Sequence, residues 1–370
     1  MTLVHAVAVK NSKNVAGRNL MDTILAKINY NDPDLSQIKK AADILKRGGL
    51  VAFPTETVYG LGGNGLDVLA CKKIYEAKGR PSDNPLILHI SDISQLDRIV
   101  SNIPKKAEAI MNKFWPGPLT IVFPKADCVP KEITGGFDTV AVRFPYHKIA
   151  QMIIREAGIP IAAPSANSSG KPSPTRASHV EFDLFGKIDM IVDGGPTKVG
   201  LESTIIDVTG ETPILLRPGA ITREMIEEVI GHIDVDPAVF SKPNKDIVPK
   251  APGMKYTHYS PKASVILVKG NIENVIDEIN RRAKDNEENG IKVGIMATLQ
   301  TKDRYIHGTV LSVGDRENIE TIGSNLFKML RKFDFLGVDV VYSEVFDDIG
   351  EGAAIMNRLN KAAGYNYINV

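Results

Sequence analysis

Apolar residues recur along this chain with two different periods. Leu35, Ile38, Ala42 and Leu45 are spaced by three and four, which predicts an amphipathic helix. Asp32-Pro33 opens it, a capping residue followed by proline at the first helical position, and Gly48-Gly49 closes it. The unbroken apolar run at residues 50–53 predicts a buried strand. Further helices are expected over 67–77, 105–114, 147–157 and 222–230. Short β-type runs predict strands over 86–90, 119–123, 140–144, 159–163, 190–192, 204–208 and 214–216. Residues 1–10 alternate in the manner of an edge strand. Many strands and few helices predict a large mixed α/β layer with one face of its sheet left open.

The pattern then breaks. Pro237, Pro243, Pro249, Pro252 and Pro261 fall in a stretch of little periodicity, which predicts a semi-rigid extended linker over 234–261. From Ala263 strands are expected at 265–268, 293–296, 309–313 and 338–341, with helices at 272–284, 319–333 and 353–363. That alternation predicts a smaller Rossmann-like, three-layer domain. The expected division is a large α/β domain over 1–232, a proline-rich segment over 233–262 and the smaller domain over 263–370.

Composition narrows the function classes. The 370 residues are 43% hydrophobic and 24% charged, ordinary for a soluble globular protein. No run of about 18 apolar residues exists, which excludes a membrane-spanning helix. The apolar run at the start is too short and broken for a secretory signal. Cys71 and Cys128 stand outside any CxxC, so two free structural thiols in a reducing cytoplasm are expected. From Lys262 onward 14 Lys and Arg face 16 Asp and Glu, which leaves 31 against 28 before it. Neither part is the basic body of a strong nucleic-acid binder. Cations clustered locally in a near-neutral chain point to a small anionic ligand.

Those clusters sit in short loops beside the expected strands: Pro54-Thr55-Glu56-Thr57-Val58-Tyr59-Gly60, Lys78-Gly79-Arg80-Pro81, Pro164-Ser165-Ala166-Asn167 with Gly170-Lys171-Pro172-Ser173, and Leu216-Arg217-Pro218-Gly219. Strand ends are where an α/β sheet presents ligand-binding side chains. Fixed charge plus hydroxyl and amide donors is what a phosphate-bearing ligand needs. Each loop also has a plainer reading. Lys78 and Arg80 suit a helix C-terminus, Ser165 and Asn167 suit a turn, and Arg143 in an apolar strand must find some anion, a structural one included. Gly60-Leu61-Gly62-Gly63-Asn64-Gly65 matches G-x-G-x-x-G, but residues 54–59 intervene after the strand and no acidic residue follows at the required spacing. A tight turn is expected there rather than a dinucleotide site. Ser168-Ser169-Gly170-Lys171-Pro172 has proline where a P-loop needs Ser or Thr. The seven histidines show no metal-ligand spacing, so no protein-held metal is expected.

Taken together, these segments resemble the YrdC-type L-threonylcarbamoyl-AMP synthases in their long two-domain form. Phe114-Trp115-Pro116-Gly117-Pro118-Leu119-Thr120, Val142-Arg143-Phe144-Pro145, Gly200-Leu201-Glu202-Ser203-Thr204-Ile205 and Ala251-Pro252-Gly253-Met254-Lys255-Tyr256-Thr257-His258-Tyr259-Ser260-Pro261 complete the resemblance. It covers the chain from about residue 34 onward. It implies a YrdC-like first domain and synthesis of threonylcarbamoyl-AMP and pyrophosphate from L-threonine, bicarbonate or CO2, and ATP with Mg²⁺. The product would pass to a separate complex that modifies tRNA beside the anticodon, with direct tRNA binding weak or absent. Residue by residue, the resemblance implies that Lys78, Arg80, Ser165 and Asn167 hold phosphates and bicarbonate. Thr57, His89, Arg143, Ala163 and Ser203 would hold threonine, and Asn84, Thr139, Ser173, Arg217 and Tyr259 would complete the ATP site. Lys255, Tyr256, His258 and Tyr259 would close the cavity mouth as a lid. The readings that compete are an RNA-binding module and a dinucleotide-dependent oxidoreductase.

Overall fold

A computed structural model describes residues 21–241 and 259–370. The edge strand expected at residues 1–10 and most of the expected linker lie outside the described residues. The strands of the first domain are β1 (Ile24–Lys27), β2 (Val51–Phe53), β3 (Gly60–Asn64), β4 (Ile87–His89), β5 (Leu119–Pro124), β6 (Thr139–Arg143), β7 (Ile161–Ala162), β8 (Met190–Asp193), β9 (Thr204–Asp207), β10 (Ile214–Arg217) and β11 (Asp234–Val235). Its helices are α1 (Leu35–Lys46), α2 (Val68–Lys78), α3 (Leu96–Ile99), α4 (Lys105–Phe114), α5 (Lys131–Thr134), α6 (Lys148–Ala157), α7 (Ala177–Leu184) and α8 (Arg223–Ile230). The eleven strands form one mixed sheet in the order β1-β8-β2-β3-β7-β4-β6-β5-β9-β10-β11.

Asp34, not Asp32, caps α1, accepting from the Ser36 and Gln37 N–H groups. That places Leu35 outside the buried stripe, 69% exposed, while Ile38, Ala41, Ala42, Ile44 and Leu45 face inward. Asp67 caps α2 and Thr222 caps α8 in the same way. Residues 234–235 pair with β10 and extend the first sheet into the stretch expected as linker.

The largest departure from expectation is the glycine-rich segment. It is not a turn but a central strand, β3, antiparallel to both β2 and β7. A Cβ on Gly62 would meet Phe53 Cε1 at 2.6 Å and Ile161 Cγ2 at 2.9 Å, and one on Gly63 would meet Ile74 Cδ1 at 3.0 Å. The glycines let side chains from both sheet faces close over the strand, a packing need that alternation rules cannot see. A strand in this place removes the dinucleotide loop.

One face of the sheet is covered by α2, α4, α7 and α8 over the largest core. On the opposite face, α1 and α6 pack together and cover the β1-β8-β2 end as far as β3 and β7. The rest of that face, over β4, β6, β5, β9 and β10, carries the site described below.

The second domain comprises β12 (Ser264–Lys269), β13 (Val293–Thr298), β14 (Thr309–Gly314), β15 (Val340–Glu344) and β16 (Tyr367–Asn369), with α9 (Ile272–Glu288), α10 (Ile319–Leu336) and α11 (Glu351–Ala362). Its strands pair in parallel throughout, in the order β14-β13-β15-β12-β16, a Rossmann-like layer as expected. Val58 and Leu201 of the first domain belong to the same apolar cluster as Phe327, Leu330 and Ile355, so the two domains share a core.

Gly62→Ala is expected to destabilise the chain by about 1–3 kcal/mol, because the added methyl overpacks a closed layer. Chemical denaturation compared with wild type checks this; an unchanged midpoint would show that the layer has room to spare.

Candidate active site

Strand register assembles the site. His89 pairs with Arg143, Arg143 with Thr120, Thr120 with Ile205, and Ile205 with Arg217. Directly opposed residues point to the same sheet face. Four of these five strands therefore set an imidazole, two guanidinium groups and a hydroxyl in one row on the face that α1 and α6 leave free, with Ile205 of the fifth between Thr120 and Arg217. Ser203, just before β9, joins the row: its hydroxyl lies 2.7 Å from Thr120 Oγ1 and accepts from Arg217 Nη2 at 3.2 Å. Arg217 Nε also donates to the Ser203 carbonyl at 2.9 Å.

A second set of groups comes from loops above the row. Residue 79 ends α2 in the left-handed region (φ 62°), where glycine is unstrained, and the Arg80 N–H returns to the Tyr75 carbonyl at 2.9 Å. This turn leaves Lys78 buried, with its ammonium donating to the carbonyls of Ser165 and of Asn167, the latter at 2.6 Å. The Ser165 hydroxyl donates to Asn167 Oδ1 at 2.5 Å, and the Asn167 amide donates to the Ser168 and Lys171 carbonyls. Arg80 Nη2 reaches the Pro85 carbonyl at 3.1 Å. The Pro54–Gly60 loop is laced to the same segment: Leu61 N–H to the Pro164 carbonyl, Ala166 N–H to the Tyr59 carbonyl and Tyr59 N–H to the Pro174 carbonyl, each at 2.8 Å.

Arg143 answers the question its burial raised. Its Nη1 donates to Thr57 Oγ1 at 2.9 Å and its Nε to the Gly117 carbonyl at 3.4 Å. Nη2 lies 2.7 Å from Glu56 Oε1, a charge contact without hydrogen-bond alignment. The arginine is thus both balanced by a buried carboxylate and exposed to the cavity.

Lys78, Arg80, His89, Arg143, Ala163, Ser165, Asn167, Ser173, Ser203, Arg217 and Tyr259 all line one cavity. Three expected residues do not. Thr57 stands behind Arg143 as its hydrogen-bond partner. Asn84 is buried beneath Arg80, and its carbonyl accepts from Tyr75 Oη at 3.2 Å. Thr139 opens β6 opposite Pro124, four residues from Arg143, which puts it about 13 Å along the strand. Of the expected lid, Lys255, Tyr256 and His258 lie outside the described residues, whereas Tyr259 is 5% exposed and stacks on Phe327 at 5.1 Å. Sequence reasoning missed Glu202, which also lines the cavity and accepts the Ser173 hydroxyl. Its signal was its place beside Ser203 in an otherwise apolar strand approach. Among the described residues no group of three His, Cys, Asp or Glu could hold a metal ion. Likewise, none of their helices is long and apolar enough to cross a membrane.

Two family models match the chain: one described as telomere recombination (Sua5_yciO_yrdC) over residues 43–219, and one described as threonylcarbamoyl-AMP synthase, C-terminal domain, over 221–364. A threonylcarbamoyl-AMP synthase of Pyrococcus abyssi is 52% identical over 90% of this chain and 96% of its own length. Its counterpart in Bacillus subtilis is 50% identical over 91% and 95%. The chain belongs to the threonylcarbamoyl-AMP synthase family. Among solved structures, P. abyssi Sua5 complexed with L-threonine superposes with a TM-score of 0.89 at 50% identity, covering 94% of this chain and all of that one.

Burial sets the electrostatics of this synthase-family site. It pushes the His89 imidazole down to about 3, reinforced by the Arg143 cation, and Nδ1 lies 3.2 Å from the Ile87 carbonyl. His89 is therefore a neutral imidazole whose proton is assigned to Nδ1 from that contact. Burial, and then Arg80, hold the Lys78 ammonium well below the ordinary lysine range. Arg217 is pushed down to about 10, again mainly by burial. Lys78 and Arg217, held down in this way, gain when an anion arrives.

Burial also pushes His147 and His179 down to about 4. As pH falls below about 6.5, the unfolded chain takes up three protons that folded His89, His147 and His179 refuse. Stability is therefore full above that pH and is lost toward pH 4, by about 1.4 kcal/mol per pH unit for each histidine. Thermal melts at pH 7.5, 6.5, 5.5 and 4.5 check this; a flat melting temperature from 6.5 to 4.5 contradicts it.

Proposed function

We propose that this chain condenses L-threonine, bicarbonate or CO2, and ATP into L-threonylcarbamoyl-AMP and pyrophosphate, a nucleotidyl transfer. The observation that carries this reading is the convergence of Lys78, Arg80, Arg143 and Arg217 with Ser165, Ser173 and Ser203 on one cavity. Three anions meet in this reaction: a carboxylate, a one-carbon acid and a triphosphate. Positioning and charge neutralisation supply most of such a transfer, so a site rich in cations and poor in acid–base groups suits it.

The threonine amine attacks the one-carbon acid to form a carbamate, with loss of water when bicarbonate is used. A carbamate oxygen then attacks the α-phosphorus, and the bond to the β-phosphate oxygen breaks to release pyrophosphate. Arg143 is the natural forked partner for the threonine carboxylate, steadied from behind by Thr57 and Glu56. Neutral His89 adds no competing charge next to it and faces the threonine end of the row. Lys78, by tying together the Ser165 and Asn167 carbonyls, holds a rigid rim beside which Arg80 would meet the phosphates, and the Ser165 hydroxyl, which donates to Asn167 Oδ1, would turn to donate to them. Arg217 and Ser173 would face the nucleotide. Magnesium would enter on the triphosphate as part of the substrate. The cavity's own carboxylate, Glu202, is already engaged by Ser173 and by an arginine of the second domain, and so does not fit as a ligand. The hydrolysable adenylate would then pass to a separate complex that transfers the threonylcarbamoyl group to tRNA.

Pyrophosphate release from ATP, measured with and without threonine and bicarbonate, tests the reading. Wild type is expected to need both. Lys78→Ala and Arg143→Ala are each expected to lower the threonine-dependent rate by about 100-fold or more while circular dichroism stays native. Release that ignores threonine in wild type, or wild-type turnover in either variant, refutes these roles.

A further inference from the structure

Resting on that reading of the cavity, the structure assigns the second domain a part in the site: we propose that Arg358, on α11, is a positioning residue for ATP binding, acting through Glu202. Arg358 is 0% exposed. Its Nε donates to Glu202 Oε2 at 3.1 Å, its Nη2 to the Glu202 carbonyl at 3.3 Å and its Nη1 to the Pro218 carbonyl at 2.6 Å. One guanidinium thus fastens two cavity loops, the one bearing Ser203 and the one bearing Arg217. Through the other carboxylate oxygen of Glu202 it also orients the Ser173 hydroxyl.

Charge gives this contact a function beyond docking. Among the described residues that line the cavity, Glu202 is the one acidic side chain. Burial alone would raise its carboxyl, but Arg358, then Arg217, and the Ser173 hydroxyl outweigh burial and hold it below the usual carboxylate range. It therefore carries a full negative charge beside the path of a triphosphate. Arg358 cancels that charge from the side away from the ligand. Without Arg358, Glu202 would keep only its weaker support from Arg217 and the Ser173 hydroxyl, and the cavity would present a less balanced buried anion to ATP.

The same domain braces a third loop. Arg331, on α10, donates to the Pro172 carbonyl at 2.6 Å and pairs with Asp183 at 2.7 Å, and Asp183 in turn accepts the Ser168 N–H at 3.2 Å. Residue 200, at φ +79°, lies so close to α10 that a Cβ there would meet Ser324 Cα at 2.5 Å. The cavity loops at 168–173, 200–204 and 216–219 are therefore each held from the second domain.

A purely structural clamp and a charge-balancing one separate in a mutant cycle on the full-length protein. Arg358→Met is expected to raise KM for ATP by about tenfold or more. Calorimetric binding of L-threonine alone should weaken clearly less than ATP binding, since Arg143 and Thr57 are untouched and Ser203 alone of the threonine set lies on a loop that Arg358 fastens. Glu202→Gln in the Arg358→Met background, which removes the stranded charge, is expected to recover most of the ATP KM. Arg358→Lys, which keeps the cation and loses the fork, should fall between wild type and Arg358→Met and serves if the methionine variant does not fold. A double variant no better than Arg358→Met, or an unchanged ATP KM in both Arg358 variants, overturns the proposal. If wild type itself releases no pyrophosphate with threonine and ATP, it is the reading of the cavity that fails instead.

Discussion

Four cations have been taken out of water into one cavity, and the rest of the structure follows from how that is tolerated. An unpaired buried charge costs several kcal/mol. Here each is met by protein oxygens. Lys78 receives the Ser165 and Asn167 carbonyls, Arg80 the Pro85 carbonyl, Arg143 the Glu56 carboxylate and Thr57 hydroxyl, and Arg217 the carbonyl and hydroxyl of Ser203. Most of these partners are neutral dipoles. The cluster is thereby fixed in place before any ligand arrives, which is the condition under which anionic substrates bind and reacting oxygens are stabilised without reorganisation.

The fold supplies that condition in two ways. On one face α1 and α6 stop short of β4, β6, β5, β9 and β10, and register aligns His89, Arg143, Thr120 and Arg217 along it. The loops then close over the row, with β3 made of glycine so that layers on both sides can approach. The second domain completes the wall. Its Arg331 and Arg358 reach carbonyls and carboxylates of the cavity loops without lining the cavity themselves.

Much of this was legible in the sequence. Periodicity located α4, α6 and β5 within a residue or two, because their apolar stripes are strong and their ends are marked by Pro, Gly or a capping residue. The segments bearing Lys78, Arg143, Ser165 and Arg217 were readable because cations and hydroxyls recur together beside apolar strands, although each alone also had a structural use. β3 was not readable: five residues with three glycines carry no strand pattern, and only Phe53 and Ile161 packing across them explain the choice. Thr139, which the resemblance adds to the nucleotide end, opens β6 at the end away from Arg143. Glu202 and Arg358, 156 residues apart, could not be paired from sequence, since their meeting depends on how one domain seats on the other.

The most direct test of the shared cavity is a crystal structure of the full-length protein with L-threonine and a non-hydrolysable ATP analogue. The expected result has the threonine carboxylate on Arg143 and the triphosphate running past Lys78, Arg80 and Ser165, with Glu202 still held by Arg358. Threonine and nucleotide found in separate places, or either bound away from this row of side chains, would contradict it.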